Sequence, residues 1–179
     1  MAVQIGARPD SGFDDPLGML QDCHRRIENF LRILCHVADR TATGALTSEE
    51  RDAVEGALHY FHVGGQRHNQ DEEDSLFPRL RSAGTHGFEA MDRLENDHRS
   101  AAELHASVDR LFSAWLATGA IGPENRQALR NATLRLKDLY AEHIQVEETA
   151  VFPHAARVLD RDAIAQIGAE FRARRTGHQ

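Results

Sequence analysis

Residues Arg67–Pro78 read RHNQDEEDSLFP, and residues Glu142–Pro153 read EHIQVEETAVFP. Both reduce to H-x-Q-x-E-E-x-x-[L/V]-F-P, and the two histidines, His68 and His143, lie 75 positions apart. In each copy a glutamate, Glu72 or Glu147, follows the histidine by four residues. Residues four apart share one face of a helix, about one turn from each other. The repeat therefore marks either a duplicated packing unit or two halves of one metal site, and both readings hold together.

Around these copies the chain shows four long helical patterns, with apolar residues recurring at three and four. The first opens at Asp15 and Pro16, a capping residue followed by a proline suited to the first turn. Its seam reads Leu20, His24, Ile27, Leu31, Leu34, Ala38. The second opens at Thr47 and Glu50, a capping box, and reads Val54, Leu58, Phe61, Gly65, His68, Glu72. The third follows THG and reads Met91, Leu94, His98, Ala101, His105, Val108, Phe112, Trp115. The fourth starts at Pro123 and reads Leu129, Ala132, Leu136, Leu139, His143, Glu147, Ala150, His154. A short fifth helix is expected after Asp160, with Ile164, Ile167 and Phe171. The economical arrangement is all-α: an up-down-up-down four-helix bundle with a short C-terminal helix. Residues 14–172 form the bundle in this reading, 1–13 a flexible arm and 173–179 a fraying basic tail. Pro78 and Pro153 are expected to kink or loosen the last turns of the second and fourth helices.

Antiparallel packing puts early positions of the first and third helices beside late positions of the second and fourth. His24, His68, Glu72, His98, His143 and Glu147 then meet in one layer. Forty-four residues separate His24 from His68 and 45 separate His98 from His143. A duplicated hairpin with a pseudo-twofold axis through the layer produces this, and the flanks DCHR and NDHR agree. Singly, an HxxxE pair is a surface contact and a seam histidine a hydrogen-bonded core residue. Six such groups at one level would bury two carboxylates and four imidazoles, which is very costly unless cations neutralise them. Four imidazoles and two bridging carboxylates give about eight of the roughly twelve donor bonds that two octahedral ions need. An oxo or hydroxo bridge adds two, leaving about one open position per metal. Mixed imidazole and carboxylate ligation suits iron better than calcium, magnesium or structural zinc.

The order of one histidine, H-x-x-x-E, one histidine and H-x-x-x-E, with its EExxLFP ending, resembles the hemerythrin-like (HHE cation-binding) domains over residues 15–172. The resemblance implies a bundle with a non-haem centre of two iron ions, Fe2+ or Fe3+. Its matching ligands are His24, His68, Glu72, His98, His143 and Glu147. Two positions depart from the oxygen-carrying hemerythrins. Ala102 stands where those carry a second third-helix histidine, and the fourth-helix carboxylate is Glu147, at four residues rather than five. The pattern is closer to bacterial HHE domains and to eukaryotic iron- and oxygen-sensing ones.

Gly64 and Gly65 lie one turn before His68, and Leu139 and Tyr140 match them in the second copy. Tyr140 is expected to lean over the glycines. It acts either as a hydrogen-bond donor to a ligand on the metals or only as a close helix contact. Glu73 and Glu148 are expected to be solvated or to orient a histidine, and His105 to be a satisfied core residue.

The 21 basic and 28 acidic residues give a net charge of -7, which argues against a nucleic-acid partner. No apolar run approaches a membrane span. Two cysteines with no CxxC spacing point to the cytoplasm. The expected function is binding of, or response to, O2, NO, peroxide or iron status, by a monomer or homodimer whose state a protein partner would read. The alternative is a di-iron enzyme with peroxidase, oxidase or iron-repair activity. A ferritin-type ferroxidase fits poorly, because only Glu95–His98 has its ExxH spacing. No nucleophile or phosphate-loop motif occurs.

Overall fold

The computed structural model describes residues 10–40, 44–84 and 88–176. Its five helices are α1 (Pro16–Asp39), α2 (48–82), α3 (Phe88–Thr118), α4 (123–158) and α5 (Arg161–Thr176). No strand occurs among the described residues, and the chain is an all-α bundle. The capping signals act locally. The Asp15 carboxylate accepts from the Gly18 amide at 3.0 Å. The Thr47 hydroxyl accepts from the Glu50 amide at 3.2 Å, while the Glu50 carboxylate accepts from the Thr47 amide at 2.8 Å. Asp160 caps α5 through the Ala163 amide at 2.8 Å. Each cap satisfies an amide that the first helical turn leaves without a partner.

The turns ahead of the prolines are loosened, as expected, but the helices do not end there. α2 and α4 continue past them to Ser82 and Val158. Ahead of each proline the helix widens into a π-turn, Glu72–Leu76 in α2 and Glu147–Val151 in α4. The Phe77 amide donates to the Glu72 carbonyl, and the Phe152 amide to the Glu147 carbonyl, in the i→i−5 pattern. Proline lacks an N–H and crowds the carbonyl one turn back. One extra residue in the turn absorbs both defects. Both of these π-turns open at a motif glutamate, so the distortion falls on the polar layer; a third, Phe61–Gly65, lies earlier in α2 with no proline directly after it.

That layer divides the core in two. The larger cluster includes Ile27, Leu31, Phe61, Ala101, Phe112, Trp115, Leu136 and Tyr140. The smaller includes Leu20, Leu76, Phe77, Leu94, Val151, Phe152, Ile167 and Phe171. On every seam the polar residues fall between the two: His24 between Leu20 and Ile27, His98 between Leu94 and Ala101. The motif phenylalanines Phe77 and Phe152 thus plug the core beneath the layer, and α5 closes that end with Ile167 and Phe171.

Contacts with the bundle extend beyond residues 14–172 at both ends. Asp10–Phe13, assigned to the arm, touch the bundle: the Ser11 amide donates to Asp22 at 2.6 Å, and the Arg172 guanidinium lies 4.9 Å over the Phe13 ring. Gly168 permits this crossing, since a side chain there would overlap the Phe13 carbonyl. At the other end α5 continues through Thr176, because Arg174 and Arg175 bond to the buried Asp71. Residues 1–9 of the arm, 177–179 of the tail and the THG stretch (85–87) lie outside the described residues.

Candidate metal centre

α1 supplies His24, α2 His68 and Glu72, α3 His98, and α4 His143 and Glu147. The bundle brings all six together, and each is at most 5% exposed. Their donor atoms form two groups, His24–His68–Glu72–Glu147 and Glu72–His98–His143–Glu147, each within 4.8 Å. Both carboxylates belong to both groups. Glu147 turns Oε2 to His24 Nε2 at 3.0 Å and Oε1 to His143 Nε2 at 3.3 Å. Glu72 turns Oε1 to His68 Nε2 and Oε2 to His98 Nε2, each at 3.4 Å.

Adjacent donors around one octahedral ion, with bonds of about 2.1 Å, stand about 3.0 Å apart. The observed separations match. They are not hydrogen bonds in place of a metal: all four carboxylate oxygens, and Nε2 of His24 and His68, have no hydrogen-bond partner. Apart from His98 Nε2, which lies 3.1 Å from His143 Nε2, these donors converge at this spacing without hydrogen bonds between them, which suits a pair of cations.

The second glutamate of each EE pair works across the bundle. Glu73 accepts from His98 Nδ1 at 2.6 Å, and Glu148 from His24 Nδ1 at 2.9 Å. Arg25 in turn bonds Glu148. These contacts fix each ring so that Nε2 faces inward. Phe152 stacks on His24, with ring centroids 5.4 Å apart.

Without a cation the layer is electrostatically unequal. Burial, and then neighbouring Glu147, hold the Glu72 carboxyl well above the usual range. Burial alone would also raise Glu147, but the imidazoles of His143 and His24 hold it below that range. Without a cation, Glu72 therefore holds a proton more tightly than Glu147 does. Burial lowers His68 and His98. His143 is raised, because Glu147 and Asp97 outweigh its burial.

A profile of the hemerythrin HHE cation-binding domain matches residues 15–155. The chain belongs to this family. It is also 27% identical over 168 residues to an "Uncharacterized protein" of Haemophilus influenzae, covering 91% of each chain.

In this HHE domain sequence reading missed Asp97, which lies 3.5 Å from His143 Nδ1. The signal was present in NDHR, next to a ligand candidate. Tyr140 does not cover the glycines: a side chain on Gly64 would meet the Tyr60 ring, and one on Gly65 would meet Phe61. Tyr140 is buried, with its ring centroid 6.3 Å from that of His143, and its hydroxyl lies 3.1 Å from His105 Nε2. Burial, with His62 nearby, lowers His105 to about 4, so its ring is neutral. Tyr140 and His105 line a cavity of about 360 Å³ between α2 and α3, with Phe61, Gly65, Asn69 and Ala102. His98 also lines it, so the cavity connects the metal layer with the bundle surface. Ala102, where the oxygen carriers place a histidine, leaves this side open.

Among the described residues no helix is long and apolar enough to cross a membrane.

Proposed function

We propose that the chain is a non-haem di-iron protein whose ions, bridged by an oxo or hydroxo group, bind or respond to O2, NO, peroxide or iron status. The ligands in this reading are His24, His68, Glu72, His98, His143 and Glu147. The observation that carries it is the membership of Glu72 and Glu147 in both donor groups. Bound iron would supply the Fe2+/Fe3+ redox change and open positions for a small ligand. The chain's own residues do the rest. Glu73, Glu148 and Asp97 orient imidazoles, the two core clusters exclude water, and the α2/α3 cavity admits the ligand. The Tyr140 hydroxyl and the His105 ring are hydrogen-bonded to each other beside that route. The free thiols of Cys23 and Cys35 suit the cytoplasm. The enzyme reading is favoured by one observation, the Tyr140–His105 pair on the cavity wall, which could pass a proton to a reacting ligand.

Metal analysis and an absorption spectrum test the centre: two iron ions per chain are expected, and one zinc ion or none would overturn it. Oxygen or peroxide added to the anaerobically reduced protein then separates the roles. A stable adduct favours sensing, and repeated peroxide consumption with a donor favours the enzyme. Tyr140→Phe should keep two ions per chain and weaken azide binding about fivefold, the scale of one lost hydrogen bond of about 1 kcal/mol. Unchanged azide affinity would remove Tyr140 from the ligand's surroundings.

The pKa directions set the pH dependence. Glu72, raised in the fold, keeps a proton that the unfolded chain loses near its ordinary 4.5. That destabilises the metal-free fold as pH rises from there to the raised value. His68 and His98, lowered in the fold, act oppositely, but their gain is complete above the ordinary 6.5. Above pH 6.5 the raised His143 acts in the destabilising sense, its contribution being lost as pH rises through its folded value. The melting temperature of metal-free protein should therefore fall from pH 6.5 to 8. Metal displaces the same protons, so apparent metal affinity should rise about tenfold per pH unit for each proton displaced. Competition with a chelator of known pH dependence measures this.

A further inference from the structure

One of the differences between the two halves of the centre falls next to a ligand histidine. In the second half Asp97, which precedes His98 on α3, stands 3.5 Å from Nδ1 of His143 on α4. The pseudo-twofold counterpart of Asp97 is the residue preceding His24 on α1, Cys23. By that symmetry it takes the place of a partner for His68 on α2, and its backbone carbonyl accepts the hydroxyl of Tyr60 from that helix at 3.3 Å. A thiol offers only a weak acceptor, and Cys23 Sγ is already contacted by Arg26 at 3.8 Å. Nδ1 of His68 and Nδ1 of His143 are both buried without a hydrogen bond, but His143 has the Asp97 carboxylate within ion-pair reach, at 3.5 Å. The other three imidazoles each have a carboxylate at Nδ1: Glu148 for His24, Glu73 for His98, Asp97 for His143.

We infer that the centre is built with unequal metal sites, a firm one at His98–His143 and a labile one at His24–His68, and that Cys23 sets the difference. This rests on the reading of the six residues as metal ligands. A carboxylate on the far nitrogen fixes the ring and raises the basicity of the nitrogen that binds metal. Loss of such a partner weakens metal binding by about 10–100-fold. His68 carries that loss in the native sequence. Its ring is held only by packing, with the His24 ring edge-on at 5.0 Å. Under limited metal the chain would hold one ion at His98–His143 and exchange the other with its surroundings.

Cobalt(II) titration of the metal-free full chain against a competing chelator tests this, with binding followed by visible absorption. Two steps separated by at least tenfold are expected. Repulsion between two cations can also split the steps, so the variants decide. Cys23→Asp should strengthen the weaker step tenfold or more, and Cys23→Ser, which adds no carboxylate, should leave it in place. Asp97→Asn should weaken the tighter step and narrow the gap. His68→Ala should abolish the weak step while the tight one remains. Circular dichroism establishes that each variant is folded. Cys23→Asn, an uncharged acceptor, should give a partial gain if the buried aspartate disturbs the fold. The inference is overturned if folded Cys23→Asp and Cys23→Asn bind two ions with the weaker step unmoved, or if His68→Ala removes the tight step. Failure of the native chain to bind any cobalt would instead overturn the ligand assignment itself.

Discussion

The double variant Glu72→Gln/Glu147→Gln is expected to emerge from purification without metal, yet folded. Each glutamate belongs to both donor groups, so the two changes remove every anionic donor from both sites at once. Glutamine keeps the shape of the side chain but offers a neutral oxygen and two N–H donors. Four imidazoles alone do not neutralise a pair of cations in a water-excluded layer. The energetic signature distinguishes this from simple damage. A ligand that binds only the folded state stabilises it by RT ln(1 + [L]/Kd), about 4 kcal/mol for one ion at 1,000 times its Kd. For a chain of this size each kcal/mol moves the melting temperature by about 2–4 °C. Chelation should thus cost the native protein roughly 8–16 °C per ion lost. It should cost the double variant nothing. Metal-free, the variant should be at least as stable as the metal-free native chain, because it no longer buries two facing carboxylates. Two ions per chain in the variant, or a native melting curve indifferent to chelation, would refute the metal centre.

The elements legible in the sequence were those set by local chemistry. Asp15, Pro16, Thr47 and Glu50 announce helix starts because capping is a contact across three residues. His24, His68, His98 and His143 were placed in one layer because each interrupts an apolar seam, and antiparallel helices bring those interruptions level. What was not legible depends on partners distant in the chain or on backbone compromise. A proline in a helical pattern predicts a defect but not its form. Here the i→i−5 bond from Phe77 to Glu72 lets α2 continue. Asp97 gives no local signal of its target, because His143 is on another helix. Register alone points Tyr140 at the glycines, whereas Tyr60 and Phe61, on the glycines' own helix, are what a side chain there would meet. The run RARRTGHQ reads as a solvated tail by composition, and nothing near it signals a buried carboxylate more than 100 residues earlier.

That carboxylate carries the second large prediction. Asp71 is fully buried, next to Glu72, and accepts from Arg174 Nε at 2.8 Å and from Arg175 at 2.6 Å. Arg174 also bonds Ser75, inside the π-turn that Glu72 opens. The last turn of α5 is thereby pinned to the helix that presents His68 and Glu72. Asp71→Ala leaves two guanidiniums, only 20% and 23% exposed, without their anion. Breaking a buried ion pair from one side costs about 3–5 kcal/mol. Partial solvent access to the arginines lowers this to about 3 kcal/mol, or roughly 6–12 °C in melting temperature. Metal stoichiometry should stay at the native value, since no donor atom is removed. Replacing all three by apolar residues, Asp71→Leu with Arg174→Met and Arg175→Met, should recover most of the loss, because an uncharged cluster needs no partner. Thermal denaturation of the three proteins, with metal content measured in parallel, reads both effects. If Asp71→Ala melts within a degree of the native chain, the pairing contributes nothing and α5 is held by Ile167 and Phe171 alone. If instead it melts normally but loses metal, Asp71 acts on the centre through Glu72 rather than on the helix.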